Sequence, residues 1–287
     1  MFYSKPVAEI IKERFSCRRY LAQPLAEDCR GRLAGYLASL ACGPLGTPAR
    51  YDLVAATEGD RRVLKGLGTY GVIRGSTGFI VGAARASAKH LEDYGYLMER
   101  AVLFATDMGL GTCWLGGTFT KSGFARKIGA MEGEDIPAVT PVGYKAAEGR
   151  AGDLTAWGAG SSNRLAWEKL FFHGAFGVPL PQADAGPYAV PLEMVRLGPS
   201  ASNKQPWRVI GDEQAWHFYL QRTRGYRDNV VTRLMRLADL QRVDIGIAMC
   251  HFELTASELG LQGHWAVAEP GIARPDPATE YVVSWVA

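Results

Sequence analysis

The sequence predicts an α+β protein of two related halves, each a mixed or antiparallel sheet packed by a long central helix, together forming an intramolecular pseudo-dimer. Three observations carry that prediction. Short apolar runs bounded by Gly, Pro and Asn recur along the chain and read as strands. Two long amphipathic stretches, Glu92–Met108 and Arg233–Leu259, read as helices. Those helices superpose without a gap at a spacing of 151 residues: Asp93 falls on Asp244, Gly95 on Gly246, Met98 on Met249, Leu103 on Leu254, Ala105 on Ala256, Gly109 on Gly260, Leu110 on Leu261 and Trp114 on Trp265. Shared Leu and Ala follow from packing alone, but a matched Asp, paired glycines and a terminal Trp point to an internal repeat. The halves are assigned to residues 1–150 and 187–287, with 151–186 as linker and crossover segment.

Composition narrows the functional class. Of 287 residues, 47% are hydrophobic and 21% charged, which supplies ample core for one large or two ordinary domains. The formal net charge is only +3 and dispersed. The densest basic stretch, 222–236, is relieved by Asp228 alone and reads as a solvated helix face or a place for small anions, so no nucleic-acid partner is expected. No apolar run approaches the roughly 20 residues that span a bilayer, and the first helix pattern, broken by charges, does not read as a signal peptide. Five scattered cysteines without a C-x-x-C argue against a disulfide framework or structural zinc, and for a reducing cytoplasm.

The elements follow in order. Val7–Arg14 is an amphipathic helix. Pro24 sits at the start of a second, Leu25–Leu40, and Cys42–Pro48 is a loop. Tyr51–Ala56 is a strand, Asp60–Leu67 a short helix and Gly78–Ala83 a buried strand. Gly66, Gly68 and Gly71 spell G-x-G-x-x-G, but a helical pattern precedes them and a strand follows, the reverse of the dinucleotide fingerprint. Gly109 caps the long helix with left-handed backbone. Lys121–Met131 is a short helix. Ile136–Tyr144 is a strand which Pro141 should bend or confine to an edge. Residues 149–163 form a Gly/Ala/Ser-rich linker, Trp167–Phe172 starts a helix, and His173–Gly186 is loop. Pro187–Leu197 is a helix with Val190, Met194 and Leu197 on one side. A hairpin (Trp207–Ile210, Ala215–Gln221), the second long helix and strands near His264–Ala268 and Tyr281–Trp285 complete the chain.

Three motifs stand out from this frame. Gly198–Trp207 (GPSASNKQPW) joins a helix to a strand, with Pro199 and Pro206 fixing φ and pushing Gly198 and Gln205 towards extended geometry. Its hydroxyls, amide and ammonium on a stiff loop suit a planar ligand with alternating donors and acceptors; a helix stop and turn is the plainer reading. Arg14-x-Ser16-x-Arg18 reads, on its own, equally as surface charge at a helix end. Gly109–Gly117 (GLGTCWLGG) is a turn, a short strand and a glycine pair. No Ser/His/Asp set, H-E-x-x-H or acidic metal cluster is apparent, so no metal is expected. His173, His251 and His264 read as structural, and Cys17 and Cys113 as small buried thiols.

Together the three motifs, in this order, resemble segments of the nitroreductase family: R-x-S-x-R near its start, the glycine turn after its core helix, and the P-S-x-x-N-x-Q-P-W flavin segment. A weaker match at Asn163-Arg164 extends the resemblance through most of the chain. It implies FMN as cofactor. Arg14, Ser16 and Arg164 match the groups that take the phosphate, which wants guanidinium forks and hydroxyls. Arg18 matches the position beside flavin N1 and O2, where a cation stabilises the anionic reduced ring. Pro199, Ser200 and Asn203 match contacts to the isoalloxazine and ribityl portion. Leu115, Gly116 and Gly117 match backbone beside N5, where absent side chains permit close approach. No catalytic side chain is expected beyond the flavin.

The resemblance further implies an oxidoreductase passing hydride from NADH or NADPH through flavin N5 to a small electron-poor acceptor, a nitroaromatic or quinone. A flavin-sequestering protein with little turnover, or an interaction domain that has lost FMN, are the alternatives. In homodimers of the family, one subunit's R-x-S-x-R works with the other's P-S-x-x-N. Here the first half has the former but only Cys42–Pro48 (CGPLGTP) in place of the latter. The second half has the reverse, so one complete site and one dead site are expected in a monomer that acts as a pseudo-dimer. Phe15 stands where the family commonly has a second basic residue.

Overall fold

The computed structural model describes residues 3–147, 163–226 and 237–287. The helices are α1 (Val7–Glu13), α2 (Glu27–Ser39), α3 (His90–Asp107), α4 (Lys121–Lys127), α5 (Ala189–Leu197) and α6 (Leu240–Glu258). The strands are β1 (Ala49–Ala55), β2 (Gly78–Arg85), β3 (Gly111–Thr112), β4 (Glu134–Asp135), β5 (Val139–Gly143), β6 (Phe171–His173), β7 (Trp207–Gly211), β8 (Ala215–Gln221), β9 (His264–Ala266) and β10 (Thr279–Val286). The expected linker over 149–163, apart from Asn163, and the expected start of the last helix near Arg233 lie outside the described residues. None of the described helices is long and apolar enough to cross a membrane.

Two five-stranded sheets result. The first runs β1-β2-β5-β3, with β4 beside β2, and all its pairs are antiparallel. The second runs β6-β7-β8-β10-β9, antiparallel except where β6 lies parallel to β7. Leaving aside β4 and β6, the order is the same in both: a hairpin, then the last strand, then the short strand that follows the long helix. Those short strands begin alike. Gly109 and Gly260 take φ of +79° and +75°, and the next residue's N–H returns to the helix, Leu110 to Ala105 and Leu261 to Ala256, each at 2.9 Å. This is the left-handed C-terminal cap expected of a glycine there.

Helices α3 and α6 cross at the centre. An ideal Cβ on Gly95 would lie 2.2 Å from the Val243 carbonyl oxygen, and one on Gly246 would lie 2.0 Å from that of Glu92. Only glycine permits this approach, and the two contacts are related by the same spacing of 151 residues seen in the sequence. Sequence periodicity gave α3 a single apolar stripe. In the structure almost the whole helix is buried, Glu92, Asp93 and Glu99 included, because sheet one covers one side and α6 the other. The core continues through Tyr36 stacked on Phe104 (4.0 Å between centroids) and through Phe252, Trp265 and Trp285 in the second half.

Three expectations need correction. Asp60–Leu67 forms only a 3-10 turn, Arg62–Leu64. Trp167–Phe172 is not a helix. A 3-10 turn at Trp167–Lys169 leads into β6, since the exposed edge of β7 offers Phe171 and Phe172 ladder partners that local periodicity cannot reveal. Pro141 is not at an edge, for β5 lies between β2 and β3. Its missing N–H falls where the partner strand is itself interrupted. Thr112 pairs with Val142, and Leu115 exchanges bonds with Val139 at 2.9 and 3.0 Å, but no ladder pair joins the stretch between.

Candidate functional site

The Gly198–Trp207 loop is held from below by α6. The Asp244 carboxylate accepts the Ala201 N–H at 3.0 and 3.2 Å, and burial keeps that carboxyl well above the usual carboxylate range. Asp93, 151 residues earlier, does the same for the other loop, accepting Leu45 N–H and Thr47 N–H at 2.8 Å each. Within the Gly198–Trp207 loop, Ser202, Asn203 and Gln205 have φ of +50°, +53° and +48°, a left-handed backbone that side chains rarely adopt. Gly198 is extended, as the following Pro199 requires, at φ −54° and ψ 144°. Gln205 is not, despite Pro206, because tertiary bonds override the local preference. Its N–H donates to Ser200 Oγ (2.8 Å), and its Oε1 accepts Leu165 N–H (2.8 Å).

Those bonds bring Arg164 to the loop. Its Nη1 donates to Asn203 Oδ1 and its Nη2 to the Leu197 carbonyl, each at 3.0 Å, while Asn203 Nδ2 donates to Asn163 O at 2.7 Å. Arg164 is pushed down to about 10, first by burial and then by the positive charges of Arg14 and Arg196. Arg14 is therefore near enough for its charge to be felt at Arg164, and its side chain is 6% exposed. Its buried Nε makes no hydrogen bond, and the nearest carboxylate oxygen, on Glu99, is 3.9 Å away. The buried Arg14 donor and the half-buried Arg164 guanidinium together offer positive charge and N–H groups of the kind an anion takes. A phosphate monoester, with about two negative charges and several acceptor oxygens, fits them.

Ser16 bridges to Thr112 at the head of β3, and the Cys17 N–H donates to Thr112 O at 2.8 Å, which anchors the R-x-S-x-R segment to the first sheet. Arg18, two residues further, accepts the Arg74 N–H on its carbonyl at 2.9 Å. Leu115 is a core residue paired with Val139. Gly116 and Gly117 border a small cavity of about 150 Å³ with Tyr70, Leu237 and Ala238. The side of Gly116 that would carry a Cβ faces Leu240 of α6, 2.4 Å from that Cβ position, so on that side its missing side chain makes room for a leucine. Pro199 and Ser200 are half-buried on the loop's near side.

Glu99, not singled out from sequence, links these pieces. Its Oε2 accepts Trp114 Nε1–H at 2.7 Å, immediately before Leu115, and its Oε1 lies 2.9 Å from His251 Nε2. His251 Nδ1 lies 2.8 Å from the Met194 carbonyl, near the end of α5. The structure thus brings Arg164 and Asn203 into direct contact, with the charge of Arg14 close by. It connects them to Trp114 and the glycine pair through Glu99. Glu99 could have been flagged only by noticing a carboxylate on a helix with no solvated face; His251 gave no signal beyond its residue type.

The chain has similarities among known proteins. A model of the family described as "Putative TM nitroreductase" matches residues 6–256. A nitroreductase structure from Thermotoga maritima MSB8 aligns over 98% of this chain and 94% of its own, with 18% identity and a TM-score of 0.61, which shows a shared fold. A nitroreductase family protein from Clostridium novyi NT (21% identity, TM-score 0.39) matches 50% of this chain and 87% of its own. A nitroreductase with bound FMN from Bacteroides fragilis NCTC 9343 (19%, 0.37) matches 50% and 90%. No curated protein matches. With the family model covering most of its length, the chain belongs to this nitroreductase family.

Proposed function

We propose that the protein is an FMN-dependent oxidoreductase that moves hydride from NADH or NADPH to a small electron-poor acceptor of nitroaromatic or quinone type. We further propose that its single flavin site lies between the two halves of a one-chain pseudo-dimer. The observation that carries the reading is the nearness of Arg14 and Arg164, with Arg14's charge felt at Arg164 and its own buried Nε left without a hydrogen bond. Arg14, Ser16 and Arg164 would hold the phosphate. Ser200 and Asn203, on a loop already held in strained geometry, would face the ribityl chain and ring, with Pro199 beside them. Arg18 would stand at the ring's N1 and O2 edge. Leu115 to Gly117 would pass beside N5. Bound FMN supplies the two-electron chemistry; the chain's own contribution is to bind, orient and screen it from water.

The tandem arrangement is supported by the reciprocal glycine contacts at the helix crossing, by the shared strand order, and by Asp93 and Asp244 each holding a loop. The proposed domain limits remain 1–150, 151–186 and 187–287, with β6 of the middle segment joining the sheet of the second half. The loop at Cys42–Pro48 contains neither a serine nor an asparagine, which supports one functional site per chain.

The test is direct. Purified protein should be yellow or take up added FMN at one per chain, and anaerobic NADH or NADPH should bleach it rapidly. A protein that neither carries nor takes up FMN refutes the reading. A yellow protein that does not bleach with either reductant is a flavin store. Two flavins per chain would overturn the single-site assignment. Localisation to the cytoplasm is proposed from the free cysteines alone.

A further inference from the structure

A serine, a histidine and an aspartate that the flavin reading does not use meet on the second sheet. Ser284 on β10 lies directly opposite His217 on β8, with its Oγ 2.7 Å from Nδ1. His217 Nε2 lies 2.8 Å from Oδ2 of Asp212, in the turn between β7 and β8. Tyr281 adds a fourth member, its hydroxyl 2.7 Å from Ser284 Oγ. This is not a hydrolytic triad. Ser284 is 2% exposed and its oxygen is bonded on both sides, so no substrate carbon reaches it.

Donors and acceptors leave this chain two complete arrangements. Asp212 is an anion in both. Burial opposes its charge, but bonds from His217, Gln214 N–H and Ala215 N–H outweigh that and hold its carboxyl below the usual range, so Nε2 carries a hydrogen. When His217 is neutral, Nδ1 only accepts: Ser284 donates to it, and Tyr281 donates to Ser284. When His217 is protonated, Nδ1 donates to Ser284, Ser284 donates to Tyr281, and the Tyr281 hydrogen turns to the Ala266 carbonyl, 3.3 Å away. The Tyr281 oxygen accepts the Ala268 N–H at 3.1 Å throughout. No polar group of the chain is orphaned in either arrangement. One proton passed inward converts the first into the second: it enters at the half-buried Tyr281, each hydroxyl hands on its own hydrogen, and an N–H bond forms at Nδ1.

We propose that the Asp212–His217–Ser284–Tyr281 chain is a proton-sensitive switch that turns the Tyr281 O–H from Ser284 to the main chain of β9 when His217 takes up a proton. β9 is an edge strand, paired with β10 at His264, Trp265 and Ala266, so a bond at Ala266 bears directly on how that edge is held. The neighbouring elements also carry charged or titratable groups: Glu213 in the same turn, Arg208 on β7, Tyr219 on β8, and Glu269 and Arg274 beyond β9, whose charges are felt at Tyr219. Both ring nitrogens of His217 are taken by Asp212 and Ser284, so none of these bonds to it.

Nuclear magnetic resonance of the full-length protein, with or without FMN, tests this. Between about pH 5 and pH 8 the His217 ring signals, identified by their loss in His217→Asn, should titrate. The Val267 amide, on the peptide whose carbonyl is that of Ala266, should shift with the same midpoint. Ser284→Ala cuts the chain but leaves His217 titratable, and the Val267 shift should vanish. Tyr281→Phe leaves the Ser284 hydrogen without an acceptor in the protonated arrangement only. It should therefore lower the His217 midpoint by about half a pH unit or more, about threefold in proton affinity. A cluster with a packing role alone predicts a Val267 amide that does not follow His217 in wild type. That result overturns the proposal, as does a Val267 shift that survives in Ser284→Ala, a His217 midpoint unmoved in Tyr281→Phe, or His217 signals constant across the range. The Tyr281→Phe readout stands even if Ser284→Ala does not fold. None of these outcomes depends on FMN, so the switch and the flavin reading fail independently.

Discussion

At the α3–α6 crossing, Gly95→Ala is the sharpest perturbation of the fold. The new methyl would start 2.2 Å from the Val243 carbonyl oxygen. That oxygen belongs to a helix backbone, so no rotamer change can clear it. The helices must separate by about 1 Å, and side chains on both faces of a fully buried crossing lose contact distance together. Overpacking of this kind costs about 1–3 kcal/mol, and a rigid backbone obstacle places it at the upper end. Alanine's better helix propensity returns about 1 kcal/mol. The expected net loss of about 2 kcal/mol lowers the melting temperature by about 4–8 °C in a chain of this size. Gly31→Ala is the internal control. It lies on α2 with nothing within 4 Å of the new Cβ and should stabilise. Thermal and urea unfolding followed by far-UV circular dichroism measures all three proteins. Gly246→Ala should behave as Gly95→Ala does. The double variant should lose less than the two combined, since one separation of the helices relieves both contacts. A Gly95→Ala protein as stable as wild type would refute the close crossing.

Further outcomes follow from the loop and the arginine pair. Ser202 is exposed at φ +50°, so Ser202→Gly should raise stability by about 0.5–1 kcal/mol through relief of left-handed strain, read as a higher melting temperature. Asp244 has its folded value raised by burial; its contribution is complete below about pH 4 and is lost as pH rises through that folded value. Asp244→Asn keeps an oxygen for the Ala201 N–H and does not titrate. It should therefore gain on wild type between about pH 5 and pH 8 in urea unfolding, and a constant difference across that range would contradict the assignment. Arg164→Ala removes a cation and both the Asn203 and Leu197 contacts. FMN affinity should fall about tenfold or more, and riboflavin affinity by much less.

Much of this was legible in residue order. Gly109 and Gly260, Asp93 and Asp244, and the two helices that carry them repeat in the sequence, and each pair does the same job in three dimensions. The loop at 198–207 stood out by residue type, whereas Arg14 and Arg164 were singled out through the family resemblance. What was hidden depends on partners distant in the chain. Trp167, Leu170 and Phe171 imitate a helical stripe, and only the free edge of β7 turns Phe171 and Phe172 into a strand. Pro141 is tolerated inside a sheet because of an interruption in a different strand. Glu99 looks like one charge among several on an amphipathic helix until sheet one and α6 close over both faces.

The crossing glycines carry a consequence for how the molecule can vary. In an association of identical chains, every change at the crossing would occur twice. Here Glu99 and His251 meet on one side, while the residues at the corresponding positions, Cys250 and Arg100, lie on the other, where Arg100 contributes a positive charge near the Cys250 thiol. One side thus keeps a carboxylate–imidazole pair and the other a thiol near a guanidinium, a division of labour that no symmetric pair could encode. Each side is free to change without obliging the other to follow. Since both helices belong to one polypeptide, dilution cannot separate them.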